Sequence, residues 1–345
     1  MRVLQVMAGA RHGGAELFFE RLTLALARKG VTQQAVIRTA PERAMRLRMA
    51  GISTQEMRFG GKLDFLTGGG LRRAVLDFQP DVALCWMSRA AQKFPSRPSV
   101  PLWPVVCARL GGYYPLKYYR CCDHLIGNTI DIVKYVVAQG WPAGRAHYLP
   151  NFVESQTAPA AARHMFDTPD DAPLLLAMGR LHPNKGFDVL LAAVAQLPGV
   201  YLWLAGEGPQ EMALRKQSEQ LHITDRVRFL GWRDDGPALL AASDILVCPS
   251  RMEPLGNVII EAWAQAKPVV AASAAGPLAL IKDGVSGLLA PVEDADALSA
   301  VLRKIIGNRQ LRDDLAVSGY KEYERSFTEA AVVARYQHFF EEVTV

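Results

Sequence analysis

No apolar run in this chain approaches the ~18 residues that a membrane-spanning helix needs, so a transmembrane reading is excluded from the start. The opening Val3-Leu4-Gln5-Val6-Met7-Ala8 is too short for the apolar core of a secretion signal, and Arg11 and a glycine turn follow it. It reads as a first β-strand. Cysteine is scarce and odd in number: Cys85, Cys107, Cys121, Cys122 and Cys248, with no Cys-x-x-Cys spacing. Neither a disulfide framework nor a zinc site follows from that pattern, and buried thiols of a reducing, cytoplasmic compartment are expected. Gly-x-Gly-x-x-Gly and Gly-Lys-Ser/Thr are both missing, which removes the dinucleotide fingerprint and the P-loop. No Asp-x-Asp stands where a metal would be held, because Asp170-Asp171, Asp234-Asp235 and Asp313-Asp314 are adjacent pairs in turn-like or helical surface contexts; no metal and no cofactor are expected.

What is present is enough apolar residue, half of 345, to fill two ordinary cores. Strand-like and helix-like segments alternate, which predicts an α/β protein with parallel sheets covered by helices. In the first half the spacing predicts strands at Val3–Ala8, Val82–Trp86, Leu102–Cys107 and His124–Gly127. It also predicts a helix from Ala15 to Lys29 and another from a Thr129 cap to Gln139, closed by Gly140. The turn-rich stretch from Ala158 to Pro173 is expected to link a domain over residues 1–155 to one over 165–325. Strands then follow at Leu174–Met178, Tyr201–Ala205, Val227–Leu230, Ile245–Cys248, Val269–Ala271 and Gly287–Ala290. A last helix over 328–343 carries an aromatic stripe that needs a surface to cover. It packs on its own domain or crosses back onto the first; the crossing is the favoured expectation.

Charge is divided unevenly. Residues 1–160 carry 21 Lys and Arg against 10 Asp and Glu, and the remainder 18 against 24. Arg43, Arg46 and Arg48, with Arg72 and Arg73, fall on expected helices of the basic half. They form either a solvated helical face or an attraction to an anionic membrane leaflet or a phosphate-bearing acceptor. Nucleic acid is not expected, since no aromatic-basic recognition motif accompanies the charge.

Two segments carry chemistry. In Glu253-Pro254-Leu255-Gly256-Asn257-Val258-Ile259-Ile260-Glu261, one carboxylate precedes a helix start and the other lies inside that helix. The free N–H groups between them make a phosphate site, and the flanking acids suit hydroxyls. In Gly179-Arg180-Leu181-His182-Pro183-Asn184-Lys185-Gly186, two cations share a strand-to-helix loop, an anion pocket that Arg fills bidentately and Lys as a point charge. Both loops belong at the carboxyl ends of strands, where open α/β sheets bind ligands.

These two segments stand in order and spacing with Ala205-Gly206-Glu207-Gly208-Pro209 and Phe229-Leu230-Gly231. The set resembles the retaining GT-B glycosyltransferases of family 4, which include the mannosyl- and glucosyltransferases of lipopolysaccharide assembly. The resemblance covers the second half and, more loosely, the first strand and its glycine loop. It implies two Rossmann-like domains facing each other across a cleft. It also implies transfer of a hexose from a UDP- or GDP-sugar co-substrate to a saccharide or lipid-linked acceptor. By position it assigns Arg180 and Lys185 to the donor diphosphate, Glu253 to sugar hydroxyls and Glu261 to the ribose. Backbone N–H groups around Leu255, Gly256, Asn257 and Val258 would touch phosphate or sugar. Gly206 belongs to the donor set, and Gly231-Trp232-Arg233 would border the base.

In the basic half, Gly13-Gly14 lets backbone approach the donor or acceptor closely, or is a plain turn. Glu16 reads as a helix-start acid, and His12 and His182 as solvated loop histidines. Relatives often carry a His where this chain has Val106-Cys107-Ala108-Arg109. Arg109 is therefore expected to face the cleft and join Arg180, Lys185 and Glu253 in catalysis. The run Tyr113-Tyr114-Pro115-Leu116-Lys117-Tyr118-Tyr119-Arg120 either receives the acceptor or is an ordinary surface segment. The protein would work in the cytoplasm, with the basic half as its contact to the inner membrane face. A nucleotide-sugar 2-epimerase, or a sugar-nucleotide sensor without catalysis, are the rival readings.

Overall fold

The computed structural model describes residues 1–10, 13–61, 64, 66–97, 103–154 and 158–344. It divides into two compact units: Met1–Asn151 together with the chain from Glu329, and Phe152–Thr328.

Among the described residues, the first unit holds a parallel sheet of β1 (Arg2–Met7), β2 (Thr32–Arg38), β3 (Ser53–Met57), β4 (Val82–Trp86), β5 (Val105–Leu110), β6 (His124–Gly127) and β7 (Ala146–Tyr148). Their order is β3-β2-β1-β4-β5-β6-β7, so the direction of winding reverses between β1 and β4. The covering helices are α1 (Gly14–Arg28), α2 (Pro41–Met49), α3 (Leu66–Phe78), α4 (Met87–Lys93) and α5 (Ile130–Ala138). Thr129 caps α5 by accepting from the Ile132 N–H at 3.1 Å.

Strands β2, β3 and β7 are additions to the sequence reading. β2 hides behind its glutamines Gln33 and Gln34, which look like surface residues but are buried, and Gln33 is paired. Gln5 donates to Gln33 at 2.9 Å, Gln33 donates to the Thr23 carbonyl at 2.8 Å, and Trp86 donates to Gln5 at 2.9 Å. β3 is a half-exposed edge strand with no apolar run. β5 begins three residues later than expected, because Pro104 has no N–H to give the ladder. The arginine cluster divides: Arg72 and Arg73 are exposed on α3, while the other three have partners. Arg43 is buried, Arg46 is paired with Glu20, and Arg48 reaches Glu56 and the Thr54 carbonyl. These charges are neutralised at home and form no bare cationic face.

The shift in β5 decides the fate of Arg109. It lies inside the strand and only 2% of it is exposed. Its guanidinium donates to the Tyr336 hydroxyl at 2.8 Å and to the Asn151 side chain, and packs 4.6 Å from the Phe18 ring and 5.0 Å from Trp86. The expectation of a catalytic Arg109 is therefore corrected: every direction in which it reaches is taken by its own unit. It is a structural tie for α13 (Glu329–Thr344), whose Val332, Val333, Tyr336, Phe339 and Phe340 are buried against that unit. Arg28 and Glu329 form a second tie at 2.7 Å.

In the second unit the described strands are β8 (Leu174–Met178), β9 (Tyr201–Ala205), β10 (Val227–Gly231), β11 (Ile245–Cys248), β12 (Val269–Ala272) and β13 (Leu288–Ala290). They form a parallel sheet in the order β10-β9-β8-β11-β12-β13. Its flanking helices are α6 (Phe187–Ala195), α7 (Glu211–Gln220), α8 (Gly236–Ala242), α9 (Asn257–Ala264), α10 (Ala275–Leu280), α11 (Ala295–Ile306) and α12 (Arg309–Ser326). Leu190, Leu191, Val194 and Leu302 close one face of the sheet, while Trp203 and Trp263 fill the other. Each indole finds a partner in the core, Trp203 on Thr168 and Trp263 on the Ser286 carbonyl, both at 2.9 Å. Arg163, within the stretch read as linker, is pinned to this unit by the Ala172 and Ala242 carbonyls and by Asp244.

Two outcomes follow for the first unit. Arg109→Ala strands the Tyr336 and Asn151 groups and should lower unfolding stability by about 2–4 kcal/mol. Urea titration measures this, and Arg109→Lys should recover part of the loss. His124 and His147 face each other at 2.9 Å, with Phe339 of α13 against both rings. Burial holds both imidazoles below their ordinary value of 6.5. The unfolded chain therefore binds more protons as pH falls through 6.5, and stability should decline there. The urea midpoint should drop between pH 7.5 and 5.5, and replacing both histidines with glutamine should flatten that slope.

Candidate active site

The reversal of strand order in the second unit lies between β8 and β11, and both chemistry-bearing loops leave those two strands at their carboxyl ends. The loop after β9 is stitched to its neighbours by backbone bonds. Gly179 N–H donates to Ala205, Leu181 N–H to Glu207, and Gly206 N–H to Gly231 at 2.7 Å. Gly206 takes φ +151°, and a Cβ there would lie 1.9 Å from the Gly179 carbonyl oxygen. Only glycine lets these strands' ends close together so tightly. In the β10 loop, Trp232 is 74% exposed and Arg233 is paired with Asp235 at 2.5 Å.

Lys185 reaches from the first loop to the Glu253 carboxylate of the second, forming an ion pair. The other Glu253 oxygen accepts from the Gly256 N–H at 3.2 Å, and Ser250 donates to the carboxylate at 3.3 Å. Glu253 thus stands at the entrance to α9, whose first residue is Asn257, while Glu261 lies one turn inside that helix. Eight residues make α9 long enough to present a positive end, and the segment Leu255–Val258 leads into it. Arg180 is exposed on the rim of the same loop and makes no ion pair among the described residues. Gathered at these loops are therefore Arg180, Lys185, Gly206, Trp232, Arg233, Glu253, Leu255, Gly256, Asn257, Val258 and Glu261. Gly13, Gly14 and Arg109 belong to the first unit.

Some contributors were not read from the sequence. Arg251 clamps Asp188 with two bonds of 2.7 Å, holds Glu293 at 2.7 Å and donates to the Pro183 carbonyl at 2.8 Å. That clamp locks the Lys185 loop to the Glu253 loop, and it holds the Asp188 carboxyl below its ordinary value. Gly186 takes φ +64°, and a Cβ on it would sit 2.2 Å from the Pro249 carbonyl oxygen. His182 accepts from the Asn184 N–H at 3.3 Å and shapes its own turn. Cys248 lies under the site, its thiol pushed up to about 11 by burial and by the Glu253 charge, so it stays protonated at neutral pH.

In the first unit, the β1–α1 loop is folded around Glu16, which was read as a plain helix-start acid. It is 7% exposed and accepts from the Ala10 N–H at 2.7 Å. A Cβ on Gly9 or Gly13 would fall 2.1 or 2.3 Å from its carboxylate oxygens, whereas Gly14 has open space around it. His12 lies outside the described residues.

Residues 161–322 match the family model for glycosyl transferases group 1. The chain is 38% identical over 330 residues to the lipopolysaccharide core biosynthesis glycosyltransferase LpsE of Rhizobium meliloti, covering 94% of this chain and 95% of that protein. It is 34% identical to LpsD of the same organism, covering 99% and 98%. Among solved structures, Anabaena HepE in complex with UDP-glucose superposes with a TM-score of 0.82 at 21% identity, covering 99% of this chain and all of that one. The lipopolysaccharide outer core galactosyltransferase WaaB superposes with a TM-score of 0.78 at 18% identity, again over 99% of this chain. Both have the fold seen here.

Gly186→Ala should lower unfolding stability by about 3 kcal/mol, because the left-handed backbone and the Pro249 contact both resist a methyl group. Denaturant unfolding of the variant checks this. A loss under 1 kcal/mol would mean that the two loops are not locked as described.

Proposed function

The chain belongs to the group 1 glycosyltransferases, and from that membership we propose that it moves a hexose from a nucleoside-diphosphate sugar to a saccharide acceptor during assembly of a lipopolysaccharide core. The observation that carries the donor reading is the ion pair between Lys185 and Glu253 at the entrance to α9, with Arg180 exposed on the same loop as Lys185. Cations and aimed N–H groups suit a diphosphate; a carboxylate one bond away suits sugar hydroxyls, which donate to it. The Lys185–Glu253 pair makes the two halves of that site one unit: a phosphate oxygen can take over the lysine while a hydroxyl takes over the glutamate. The UDP-sugar in the complex of Anabaena HepE supports a uridine donor for this fold.

In the proposed reaction the bond from the anomeric carbon to the phosphate oxygen breaks, and charge builds on the departing diphosphate. Arg180, Lys185 and the N–H groups at Gly256 and Asn257 would receive that charge, the Gly256 N–H turning from Glu253 to the phosphate. The acceptor oxygen bonds to the same face of the anomeric carbon, with retention, and its proton passes to the departing phosphate oxygen. These residues supply the electrostatic stabilisation themselves, so the mechanism is written without a metal. Glu261, one turn into α9, would accept from the ribose hydroxyls.

Lys185→Ala should lower turnover with UDP-sugar by about 10²–10³-fold, the range seen when one preorganised group is removed. Glu261→Ala should chiefly raise the donor KM, with circular dichroism unchanged in both variants. Donor-dependent product formation, followed by mass spectrometry on a core-oligosaccharide acceptor, measures the two effects. Wild-type rates in both would reject the site.

A further inference from the structure

Two adjoining cavities follow α4 in the first unit. One, of about 650 Å³, opens at the carboxyl ends of β2, β3 and β4 and is lined by Arg38, Arg89 and Lys93. The other, of about 410 Å³, lies at the far end of α4 and is lined by Arg97, Lys117 and Arg120. Gln92 and Tyr118 line both, so the two hollows share a wall made of an amide and an aromatic ring. Each volume is within the roughly 300–1,000 Å³ of small-molecule sites.

Cations outnumber acids in this track, six to the one carboxylate of Asp123. Of its six cations, Arg97 is paired with Asp123 at 3.1 Å. Lys93 spends its ammonium on the Gly61 and Asp64 carbonyls, at 2.7 and 3.0 Å. Arg38, Arg89 and Arg120 are exposed and make no ion pair among the described residues, and Lys117 lies 5.2 Å from the Tyr118 ring. This contrasts with Arg43, Arg46 and Arg48 nearby in the chain, which are buried or matched by acids. Cations left unmatched along a concave path, with an aromatic face and an amide between them, are the complement of an acidic saccharide. Carboxylate or phosphate groups would meet the guanidinium forks, and ring hydroxyls and C–H faces would meet Gln92 and Tyr118. A flat leaflet reaches the rims of such hollows but not their walls.

We propose that the track along α4 binds the acceptor, and that the acceptor is a negatively charged oligosaccharide held by Arg38 and Arg89 at one end and Lys117 and Arg120 at the other. The proposal rests on the glycosyltransferase reading for its word "acceptor", but binding along the track needs no donor. The test is therefore a binding experiment without nucleotide. Lipopolysaccharide core oligosaccharide is titrated calorimetrically into the whole protein in four forms: native, dephosphorylated, carboxyl-reduced, and stripped of both groups. The native form should bind at least tenfold tighter than the doubly stripped form, and the two single treatments assign the share of phosphate and of carboxylate. Arg38→Ala/Arg89→Ala and Lys117→Ala/Arg120→Ala should each weaken native binding at least tenfold while leaving the melting temperature and the UDP affinity unchanged. Arg72→Ala/Arg73→Ala, which removes two exposed charges on α3, should leave it unaltered. Equal binding of native and stripped forms would overturn the proposal, as would equal weakening by the α3 pair. It would also fall if the track variants lost affinity for phosphatidylglycerol vesicles but kept it for the oligosaccharide. Failure of UDP to bind would count against the donor site alone.

Discussion

The contact on which the second unit's chemistry depends is the ion pair between Lys185 and Glu253, two residues 68 positions apart that the reversal of strand order makes neighbours. In a parallel sheet the loops that follow adjacent strands lie side by side at the carboxyl edge. β8 and β11 are adjacent although two strands intervene in the chain, so their loops meet where α6 and α9 begin. Arg251 makes the meeting rigid by holding Asp188, Glu293 and the Pro183 carbonyl at once. A multiply bonded arginine at partial burial gains more than a lone surface pair, whose contribution is typically below ~1 kcal/mol. The result is a lysine and a glutamate held together at the start of α9, the pair on which the proposed donor site rests.

The first unit solves a different problem, that of carrying polar groups through its core. Gln5, Gln33 and Trp86 satisfy one another, and Arg109 is held by Tyr336, Asn151 and two aromatic faces. A buried guanidinium without these partners would cost several kcal/mol. The same arrangement seats α13, the chain's last helix, so the identity of residue 109 is tied to the packing of a segment more than two hundred residues away. Glu16 plays the matching part at the β1–α1 loop, which is built around its carboxylate.

What the sequence made legible, and what it hid, divides along physical lines. The strands of the second unit are short continuous apolar runs, and their reading agrees with the structure to within a residue or two at each end. Loop residues such as Lys185 and Glu253 could be placed because their strands could be placed. β2 was missed because its glutamines are buried, Gln33 in a paired network, and pairing leaves no trace in local composition. Arg109 was misplaced because a three-residue shift of β5, set by Pro104, turned an expected loop residue into a core one. Arg251 was overlooked for the same reason as β2: its partners, Asp188 and Glu293, are distant in sequence. Net charge also misled in part, since Arg43, Arg46 and Arg48 are matched locally while Arg38, Arg89 and Arg120 are not.

The central claim is that Lys185, Arg180 and the start of α9 form one receptor for a diphosphate. A crystal structure with UDP bound tests it most directly. The account predicts phosphate oxygens within hydrogen-bonding distance of Lys185 Nζ and of the Gly256 or Asn257 N–H, with the ribose hydroxyls on Glu261. UDP bound elsewhere, with the Lys185–Glu253 pair undisturbed, would contradict it.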